Sequence, residues 1–461
     1  MSNRSLFLIH IVILLVLWAI AWLTDGVGGG GDSLTHYFMS ELSWEQPAFF
    51  FDQWGKPFFT LFSSPWAQFG FIGIKLFNTL CGVLASLVTC LLAKELKKDG
   101  YFLIPFIALV GPAFFSHLFS GLTEPFAALV AVTSVWLCVS GRVSIGLVLA
   151  GFLPFCRSEA QIFLPLFIVF ALLNGHWKKI PLPFLAYLLY SLVGGFIVDD
   201  FLWAFRSPYD SKGSVYGDGN WFHYLDRLPI MIGIPMTLLL VLGLVDFFRR
   251  WYLRTLNWKQ EPWLVHAPFV SLLSAHTLVW FLGIYGSAGL ERTLITAFPF
   301  LWLICLDGLL LLRDLSKVKK WLKPLPYLVL LLQLVYTAFM IPSQDYIKRQ
   351  LLLSPEDQMI KSEVGPYIQN LEKADLYVVS KPYLAYSQGL NFKNEEQCIG
   401  WSVYPALDQV KSNTLLLYDS HYVTGHYGIT LEQLQRDERL NTIQTWQSPR
   451  GHVFAVLALK P

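Results

Sequence analysis

The chain has 461 residues, of which 54% are hydrophobic and only 14% are charged, a balance that excludes a string of soluble domains and indicates a membrane protein. A formal net charge of +2 without blocks of like charge excludes a nucleic-acid-binding protein. Six scattered cysteines, most of them within or at the ends of apolar segments, exclude a disulfide framework and a cysteine metal site.

Long apolar stretches predict about eleven membrane-spanning helices, because about 20 apolar residues cross a bilayer as a helix. The predicted spans cover residues 6–23, 67–93, 101–119, 125–139, 143–155, 161–173, 180–198, 229–248, 263–285, 290–312 and 324–341. The three spans between 125 and 173 are short, so we expect them to be tilted, broken or partly buried. The first stretch lacks a small-residue cleavage site, which predicts a retained span and not a signal peptide.

The basic residues predict the orientation of these helices. If the N-terminus is cytoplasmic, sixteen basic residues fall in cytoplasmic segments and six in the opposite loops. The positive-inside rule therefore places the N-terminus in the cytoplasm, and an odd number of spans places the C-terminus outside it. The sixteen are Arg4, Lys94, Lys97, Lys98, Arg142, Lys178, Lys179, Arg249, Arg250, Arg254, Lys259, Arg313, Lys317, Lys319, Lys320 and Lys323. The opposite six are Lys56, Arg157, Arg206, Lys212, Arg227 and Arg292.

Two long loops lie on the extracytoplasmic side in this topology. Residues 24–66 are rich in aromatic side chains and are predicted to contain the active site, with amphipathic helices that fold back on the membrane surface. Residues 199–228 are rich in Gly, Ser and Asp, which predicts a mobile segment.

The composition changes after residue 342, which predicts a transmembrane domain at 1–342 and a small extracytoplasmic α/β domain at 343–461. Ser354 is placed to cap a helix that begins with a proline and two acids. Buried strands are expected within 374–380, 413–420 and 452–460, and a capped helix within 430–438.

Ionisable residues gather at the outer ends of the predicted spans. Charge at a bilayer boundary is costly, so each is a candidate functional residue, and a solvated loop residue is the alternative for any one taken alone. Every outer turn of the membrane part carries at least one acid, which favours a shared site. The candidates are Asp32, His36, Asp52, Lys56, Lys75, Glu124, Arg157, Glu159, Glu291 and Arg292.

Such a set of side chains predicts group transfer from a lipid-linked phosphate donor to an acceptor outside the cytoplasm. One acid can act as general base toward an acceptor hydroxyl, and a second could hold a divalent cation, Mg²⁺ or Mn²⁺, or orient the acceptor. Lys and Arg side chains at headgroup depth could bind the phosphate leaving group. Glycines 28–31 lack the Gly-Lys-Ser/Thr of a P-loop, and their expected role is backbone freedom that lets Asp32 turn toward the site.

Several motifs follow one another in the order of a known family. Asp32 comes directly after the first span and is followed by DQWGKPFFTLFSSPWAQFG (52–70), KLFNTL (75–80) and GLTEP (121–125). This pattern resembles the membrane glycosyltransferases of structural class C, in the bacterial branch related to dolichyl-phosphate-mannose protein mannosyltransferases and the lipid A aminoarabinose transferase. The resemblance extends over most of the first 310 residues, and GSAGLERTLITAFP (286–299) is similar to a late segment in which an Arg precedes a span.

The resemblance implies an all-α polytopic membrane domain in a bacterial cytoplasmic membrane. It also implies inverting transfer of a sugar, often mannose, from polyprenyl phosphate to a saccharide, lipid or protein acceptor. It assigns Asp32 as catalytic base or acceptor-activating group, Glu124 as the second acid and Lys56 to the donor phosphate. Ser33 follows Asp32 where eukaryotic protein mannosyltransferases have an adjacent Asp-Glu pair, which weakens the case for a protein acceptor.

The remaining candidates complete the predicted site. Asp52 is grouped with the catalytic acids, although it could instead solvate the loop. Asp32 and Glu124 are the predicted ligands of a divalent metal ion, if one is used. The predicted donor phosphate site consists of Lys56, Lys75, Arg157 and Arg292. Residues predicted to orient the acceptor or the base are His36 and Glu291, and an ordinary interfacial histidine is the alternative for the first.

Two other functions remain open from the sequence. A transporter or flippase for a lipid-linked saccharide would need charged residues near the bilayer midplane, whereas here they gather at one face, with Lys75 and Asp307 as modest exceptions. A non-catalytic assembly subunit would have dispensable acids on its outer face.

Overall fold

The computed structural model describes residues 2–28, 31–206, 213–214, 216–318, 323–410 and 413–460. Outside these ranges lie part of the polar loop 199–228 and the following residues considered above: Gly29, Gly30, Lys212, Lys319 and Lys320.

The chain up to residue 343 is helical wherever it forms regular structure in the described residues. Its α-helices are α1 Asn3–Leu23, α2 Gly31–Leu42, α3 Pro57–Ala67, α4 Phe71–Glu95, α5 Ile104–Leu109, α6 Pro112–His117, α7 Glu124–Val139, α8 Val143–Ala150, α9 Leu153–Cys156, α10 Leu164–Leu173, α11 Phe184–Val198, α12 His223–Ile232, α13 Ile234–Tyr252, α14 Ala267–Phe281, α15 Phe298–Val318 and α16 Leu325–Ser343. Short 3₁₀ segments occur at Pro47–Phe51, Tyr101–Leu103, Ser158–Phe163, Trp177–Lys179, Trp203–Phe205 and Glu291–Ala297, and a π segment at Pro262–His266.

Fewer helices qualify as membrane spans than the sequence predicts. Within the described residues, six segments are long and apolar enough: Asn3–Leu23, Phe71–Glu95, Trp177–Val198, Pro262–Phe281, Glu291–Leu315 and Leu325–Ser343. A seventh is added if α12 and α13, bent by 117° at their junction, form one broken span. The predicted number of eleven is therefore not confirmed. The other four predicted spans, 101–119, 125–139, 143–155 and 161–173, are short or interrupted helices.

Proline and glycine account for two of the interruptions. The predicted span 101–119 divides between α5 and α6 at Gly111 and Pro112, because proline cannot donate the backbone hydrogen bond that a continuous helix needs. Helices α12 and α13 separate at Gly233, whose φ of 96° is favourable only for glycine. An apolar stretch long enough to cross the bilayer thus need not be one helix.

A single buried side chain pairs the backbone groups released at both breaks. Gln333 on α16 donates from Nε2 to the carbonyl oxygens of Val110 at 2.7 Å and Ile232 at 2.8 Å. Its Oε1 accepts from the backbone N–H of Met236 at 3.3 Å. Backbone polar groups must find partners inside a membrane protein, because the hydrocarbon offers none. Gln333 therefore makes both interruptions tolerable within the bundle.

Helices α13 and α15 pack closely through two glycines. A Cβ atom on Gly243 would lie 1.9 Å from the carbonyl oxygen of Ile304, and one on Gly308 would lie 2.0 Å from that of Leu239. Small residues are favoured at such contacts because they let two helix backbones approach.

A buried ion-pair network closes the end of the bundle that lies away from Asp32. Asp307 on α15 is 2.6 Å from Lys98 and 3.3 Å from Arg250, and Glu261 is 2.8 Å from Arg250. The charge that the sequence placed inside a span is thus neutralised by partners from two other segments.

The C-terminal part forms a five-stranded sheet flanked by short helices, from β1 Leu376–Val379, β2 Cys398–Ile399, β3 Thr414–Asp419, β4 Leu440–Gln447 and β5 Val453–Leu459, in the order β2-β1-β3-β5-β4. The first three strands in this order are parallel, and β5 and β4 are antiparallel to their neighbours. The helices are α17 Asp345–Leu351, α18 Pro355–Met359, α19 Gly365–Gln369, α20 Pro382–Ser387, α21 Gly425–Tyr427 and α22 Leu431–Arg436, with π segments at Ile360–Val364 and Ser420–Thr424 and a 3₁₀ segment at Trp401–Gln409.

Three strands and two helix caps that the sequence predicts in this part are present in the structure. The three predicted strands are β1, β3 and β5, and Ser354 Oγ accepts from the backbone N–H of Asp357 at 3.0 Å as a helix cap. Thr430 and Gln433 form a capping box at the start of α22. The sequence did not predict β2, which has only two residues, or β4, whose side chains are mostly half-buried or exposed.

Helix α2 joins the membrane helices to the C-terminal domain. Its Leu34 and Phe38 share one hydrophobic core with Ile74 of α4 and with Met359 and Leu384 of the C-terminal domain. The sequence predicted helices on the membrane surface in this loop, but α2 is enclosed between two layers of protein. Its buried residues lie on nearly all sides of the helix and include the polar Ser33, Thr35, His36 and Ser40 as well as apolar side chains.

Candidate active site

The starts of four helical segments bring ionisable side chains together at one end of the bundle. Asp32 lies in the first turn of α2 and Glu124 in that of α7. Glu159 and Arg292 lie in the 3₁₀ segments that lead into α10 and α15. Acids are favoured at helix N-termini, because the unpaired backbone N–H groups there carry partial positive charge. Three carboxylates thus occupy positions that helix geometry stabilises.

Hydrogen bonds hold the starts of α2 and α7 side by side. The backbone N–H of Gly121, in the turn before α7, donates to Ser33 Oγ at 2.7 Å. Asn78 on α4 donates to the carbonyl oxygens of Ser120 at 2.6 Å and Leu122 at 2.8 Å in the same turn. A Cβ atom on Gly121 would lie 2.3 Å from the Ser33 carbonyl oxygen, so this approach requires glycine.

A continuous chain of ion pairs links the four segments. Arg292 pairs with Asp32, and its Nε lies 3.7 Å from Glu124 Oε1. Arg157 Nη1 lies 2.6 Å from the same Glu124 oxygen, and Arg157 also pairs with Glu159. We call this set, in the order Asp32, Arg292, Glu124, Arg157 and Glu159, the ion-pair chain.

The two acids at the centre of the predicted chemistry differ in accessibility. The side chain of Glu124 is fully buried, whereas that of Asp32 is 44% exposed. Burial by itself would raise the pKa of Asp32, but the neighbouring positive charges, chiefly the guanidinium of Arg292, more than offset this effect and hold the pKa below its usual value. Asp32 is therefore an ionised and reachable carboxylate, and Glu124 lies among the arginines.

A tight turn before α3 positions Lys56. Asp52 Oδ1 accepts from the backbone N–H of Gly55 at 2.8 Å, which shapes this turn. Lys56 follows with a φ of 63°, in the left-handed region that a residue with a side chain adopts at a cost. Asp52 is thus placed to hold the loop, and it makes no ion pair with the ion-pair chain in the described residues.

The lysine side chain turns inward to the ion-pair chain. Lys56 Nζ donates to the Gln53 carbonyl oxygen at 2.9 Å and to Ser158 Oγ at 3.1 Å, next to Arg157. Lys56 is only 5% exposed. Burial lowers the pKa of Lys56 to about 8, although the negative charge of Glu159 opposes the shift.

An aromatic stack adjoins Asp32. The rings of His36 and Trp54 are stacked with centroids 5.0 Å apart, and Lys393 Nζ of the C-terminal domain lies 5.9 Å from the Trp54 ring centroid. Burial lowers the pKa of His36 to about 3 against the opposing charge of Asp32, so the ring is neutral near neutral pH. An orienting role for His36 stays a prediction.

Two of the predicted site residues lie apart from this group. Lys75 Nζ donates to the Thr24 carbonyl oxygen at 2.7 Å and lines a separate cavity of about 570 Å³ with Asp25. The structure therefore does not bring Lys75 to the predicted phosphate site, because the end of α1 holds its ammonium group elsewhere. Glu291 lies 3.6 Å from Arg227 and makes no ion pair with the ion-pair chain in the described residues.

Sequence reasoning assigned no role to three neighbours of Arg157. Thr123 Oγ1 accepts from Arg157 Nη1 at 3.3 Å, Ser158 accepts from Lys56, and Glu159 pairs with Arg157. Thr123 and Ser158 are each adjacent in sequence to a residue that was assigned a role, and Glu159 lies two residues after Arg157. That adjacency, within GLTEP and PFCRSEAQ, is the signal that could have identified them.

A metal ion held by Asp32 and Glu124 stays a prediction. No three His, Cys, Asp or Glu side chains within the described ranges lie close enough to share one. Asp32 and Glu124 both contact Arg292.

The site combines the accessible carboxylate of Asp32 with the largely buried cations Arg292, Arg157 and Lys56. A carboxylate can accept a proton from a hydroxyl group, and neighbouring Lys and Arg side chains can bind a phosphate.

The comparisons with known proteins concern the fold of the whole chain. By sequence, the chain matches no known protein family and no curated protein. Its fold is that of the class C membrane glycosyltransferases, which confirms the resemblance at the level of fold.

The similar structures are those of ArnT from Cupriavidus metallidurans. With ArnT bound to undecaprenyl phosphate the chain shares 11% identity and a TM-score of 0.64, over 99% of this chain and 98% of the other. With ArnT in the apo state the identity is 11% and the TM-score 0.60, over 98% of both chains. Together with its apolar helices, this fold makes the chain an integral membrane protein.

Proposed function

We propose that the protein is an inverting glycosyltransferase that moves a sugar from a polyprenyl-phosphate donor to an acceptor hydroxyl. The observation that carries this proposal is the half-exposed Asp32 at one end of the ion-pair chain, with the buried Lys56 hydrogen-bonded to Ser158, next to Arg157 of the same chain. The fold of ArnT, which was solved bound to undecaprenyl phosphate, supports a polyprenyl-phosphate lipid as the donor carrier.

In this proposal Asp32 is the general base. As the acceptor oxygen attacks the anomeric carbon, its proton passes to the Asp32 carboxylate. The new carbon–oxygen bond forms on the face opposite the breaking bond to phosphate, so the configuration inverts. The bonding electrons leave with the polyprenyl phosphate. Because Arg292 keeps the pKa of Asp32 low, proton transfer is favourable only once the acceptor oxygen has begun to bond.

Cations beside Asp32 are proposed to receive the phosphate. Lys56 and Arg157 are linked through Ser158, and Arg292 lies on the other side of Glu124. Their charges would stabilise the phosphate as it leaves, in a site from which water is largely excluded. Glu124 acts as a positioning residue, because it contacts both arginines and is itself buried.

The finer assignments rest on the sequence motifs. We propose a mannose-type sugar and a saccharide, lipid or protein acceptor outside the cytoplasm. The Asp32 end of the bundle would then face the extracytoplasmic side of a bacterial inner membrane. The charge distribution supports this orientation, with the N-terminus in the cytoplasm and the C-terminal domain outside.

A donor-consumption assay tests the proposal. Wild type and Asp32→Asn are purified in detergent and given radiolabelled mannosyl-, glucosyl- and aminoarabinosyl-polyprenyl phosphates with a crude acceptor extract. Consumption by wild type and not by the variant is expected, and it would identify the sugar. Equal consumption by both would remove Asp32 as base. Consumption of none of the donors, together with transport of a lipid-linked saccharide across vesicles, would favour a transporter.

A further inference from the structure

A second cavity, of about 270 Å³, lies where the C-terminal domain covers the start of α2. Gly31 and Leu34 form its α2 side. Gly31 immediately precedes Asp32, and Tyr422 Oη lies 3.1 Å from the position that a Cβ atom would take on Gly31. The cavity thus adjoins the proposed base from the side of the C-terminal domain. Its polar and aromatic lining includes Glu356, Asp357, Lys381, His421, Tyr422 and His452.

The cationic side chains around this cavity already have carboxylate partners. Lys381 Nζ lies 3.1 Å from Asp357 Oδ1. Arg450 lies 3.1 Å and Arg349 4.0 Å from the carboxylate of Asp345. A phosphate would have to compete with these acids for each cation. The charge balance therefore favours a neutral ligand.

One buried acid in the lining has an unused acceptor. Glu356 is only 6% exposed, and its Oε1 accepts no hydrogen bond from any described residue. A buried carboxylate oxygen without a donor is costly, so a ligand that supplies one is stabilised there. Among the described residues, the cavity holds no group of three metal-ligating side chains. We therefore expect a ligand with hydrogen-bond donors, and not a metal cation, to contact this oxygen.

Aromatic groups provide the complementary apolar surface. Lys381 Nζ lies 5.5 Å from the Tyr422 ring centroid, and the imidazoles of His421 and His452 are stacked with centroids 5.8 Å apart. A sugar ring presents hydroxyl donors at its edge and an apolar face of C–H groups, which matches this combination. At about 270 Å³ the space lies below the range of about 300–1,000 Å³ typical of drug-sized ligands, which fits a single ring.

We propose that this cavity binds one neutral saccharide ring of the acceptor, with its hydroxyl groups donating to Glu356 and its face against Tyr422. The proposal rests on the glycosyl transfer proposed above and names a substrate class for it. A ring held there would present a neighbouring hydroxyl toward Asp32. The C-terminal domain would accordingly select the acceptor, while the membrane helices bind the donor.

Binding of simple sugars to the full-length chain tests this directly, without turnover of any donor. The probes are methyl α-mannoside, methyl β-glucoside and methyl β-galactoside, observed by saturation-transfer NMR, with inorganic phosphate as the anionic comparison. The variants are Glu356→Gln, Tyr422→Ala and the exposed control Glu372→Gln in the same domain. Thermal unfolding of each variant verifies that it is folded.

We expect at least one glycoside to bind wild type and Glu372→Gln equally, and to bind Glu356→Gln and Tyr422→Ala at least about tenfold more weakly. Tyr422→Ala alone decides the matter if Glu356→Gln does not fold. Binding of phosphate in preference to glycosides, no glycoside binding, or binding insensitive to both substitutions would overturn the proposal. If glycosides bind as expected while no donor is consumed, the cavity assignment stands and the proposed transfer is the part that fails.

Discussion

Asp32 and Arg292 are 260 positions apart in the sequence and form an ion pair at the exposed end of the ion-pair chain. One residue begins the helix that lies under the C-terminal domain, and the other precedes the long helix α15. The pair therefore joins the most accessible acid of the site to the helix bundle. It also makes the ionisation of Asp32 depend on a distant segment.

Replacing Asp32 separates chemistry from donor binding. Asp32→Asn keeps the size of the side chain but removes the proton acceptor, so kcat is expected to fall by about 10²- to 10⁴-fold, the usual contribution of a general base. Binding of undecaprenyl phosphate, measured by fluorescence quenching, should change little. A comparable loss of lipid binding would mean that Asp32 acts on the donor and not on the acceptor.

Lys56 should govern donor use. Lys56→Ala is expected to weaken donor binding by about 10- to 100-fold, since a hydrogen bond to a charged group contributes about 1.5–3 kcal/mol. Lys56→Gly should lose donor binding to the same degree yet be about 1 kcal/mol more stable than Lys56→Ala, because glycine adopts a φ of 63° without strain. Donor KM and chemical unfolding measure the two effects separately. Unchanged donor KM in both variants would place the phosphate elsewhere.

The pH dependence of donor use should follow the ammonium group of Lys56. Its pKa is lowered to about 8, so the lysine is charged below that pH and loses its proton as the pH rises through it. The kcat/KM for donor should therefore decline above about pH 8, while the low pKa of Asp32 keeps it level from about pH 5 to about pH 7.5. Lys56→Arg should move the alkaline decline upward, because arginine stays protonated. A decline at the same pH in this variant would assign it to another group.

Glu124 and Asp307 form a matched pair of buried acids at opposite ends of the bundle. Each contacts two cations, and their side chains are 0% and 5% exposed. Glu124→Gln and Asp307→Asn should each lower the free energy of unfolding by about 1.5–3 kcal/mol, because each removes a charged acceptor shared by two largely buried cations, which keep their other carboxylate partners. Only Glu124→Gln should also lower kcat, since it releases the arginines beside Asp32. Equal losses of kcat in both would reduce Glu124 to a structural role.

Removal of divalent ions tests the predicted metal site. Arg292 contacts both candidate ligands, so transfer is expected to continue after treatment with EDTA. Donor consumption with and without EDTA, followed by added Mg²⁺ or Mn²⁺, is the measurement. Loss of activity that either ion restores would mean that Asp32 and Glu124 exchange their arginine for a metal during turnover.

Features of the C-terminal domain that depend on neighbouring residues could be predicted from the sequence. Strands β1, β3 and β5 are continuous apolar runs, and Ser354 is followed by the proline and acids of a helix start. These features depend on neighbouring residues, so they can be read without knowing the partners. The edge strand β4 could not be predicted in this way, because its partly exposed side chains do not form a continuous apolar run.

The number of spans could not be predicted in the same manner. Apolar length marks every segment that is buried, whether in lipid or in protein, and does not distinguish a spanning helix from a broken one. The breaks near Val110 and Ile232 are stable because Gln333, from α16, binds both released carbonyl groups. That compensation exists only in the folded bundle.

By itself, the sequence determined that this is an apolar, helical membrane protein, that ionisable residues gather at the outer ends of its apolar segments, and which motifs resemble class C glycosyltransferases. Only the tertiary structure decided which of those charges meet. It joined Asp32, Glu124, Arg157 and Arg292, drew Lys75 to the end of α1, and enclosed α2 beneath the C-terminal domain. The physical reason is that helix starts depend on neighbouring residues, whereas an ion pair or a buried surface depends on partners that folding brings from anywhere in the chain.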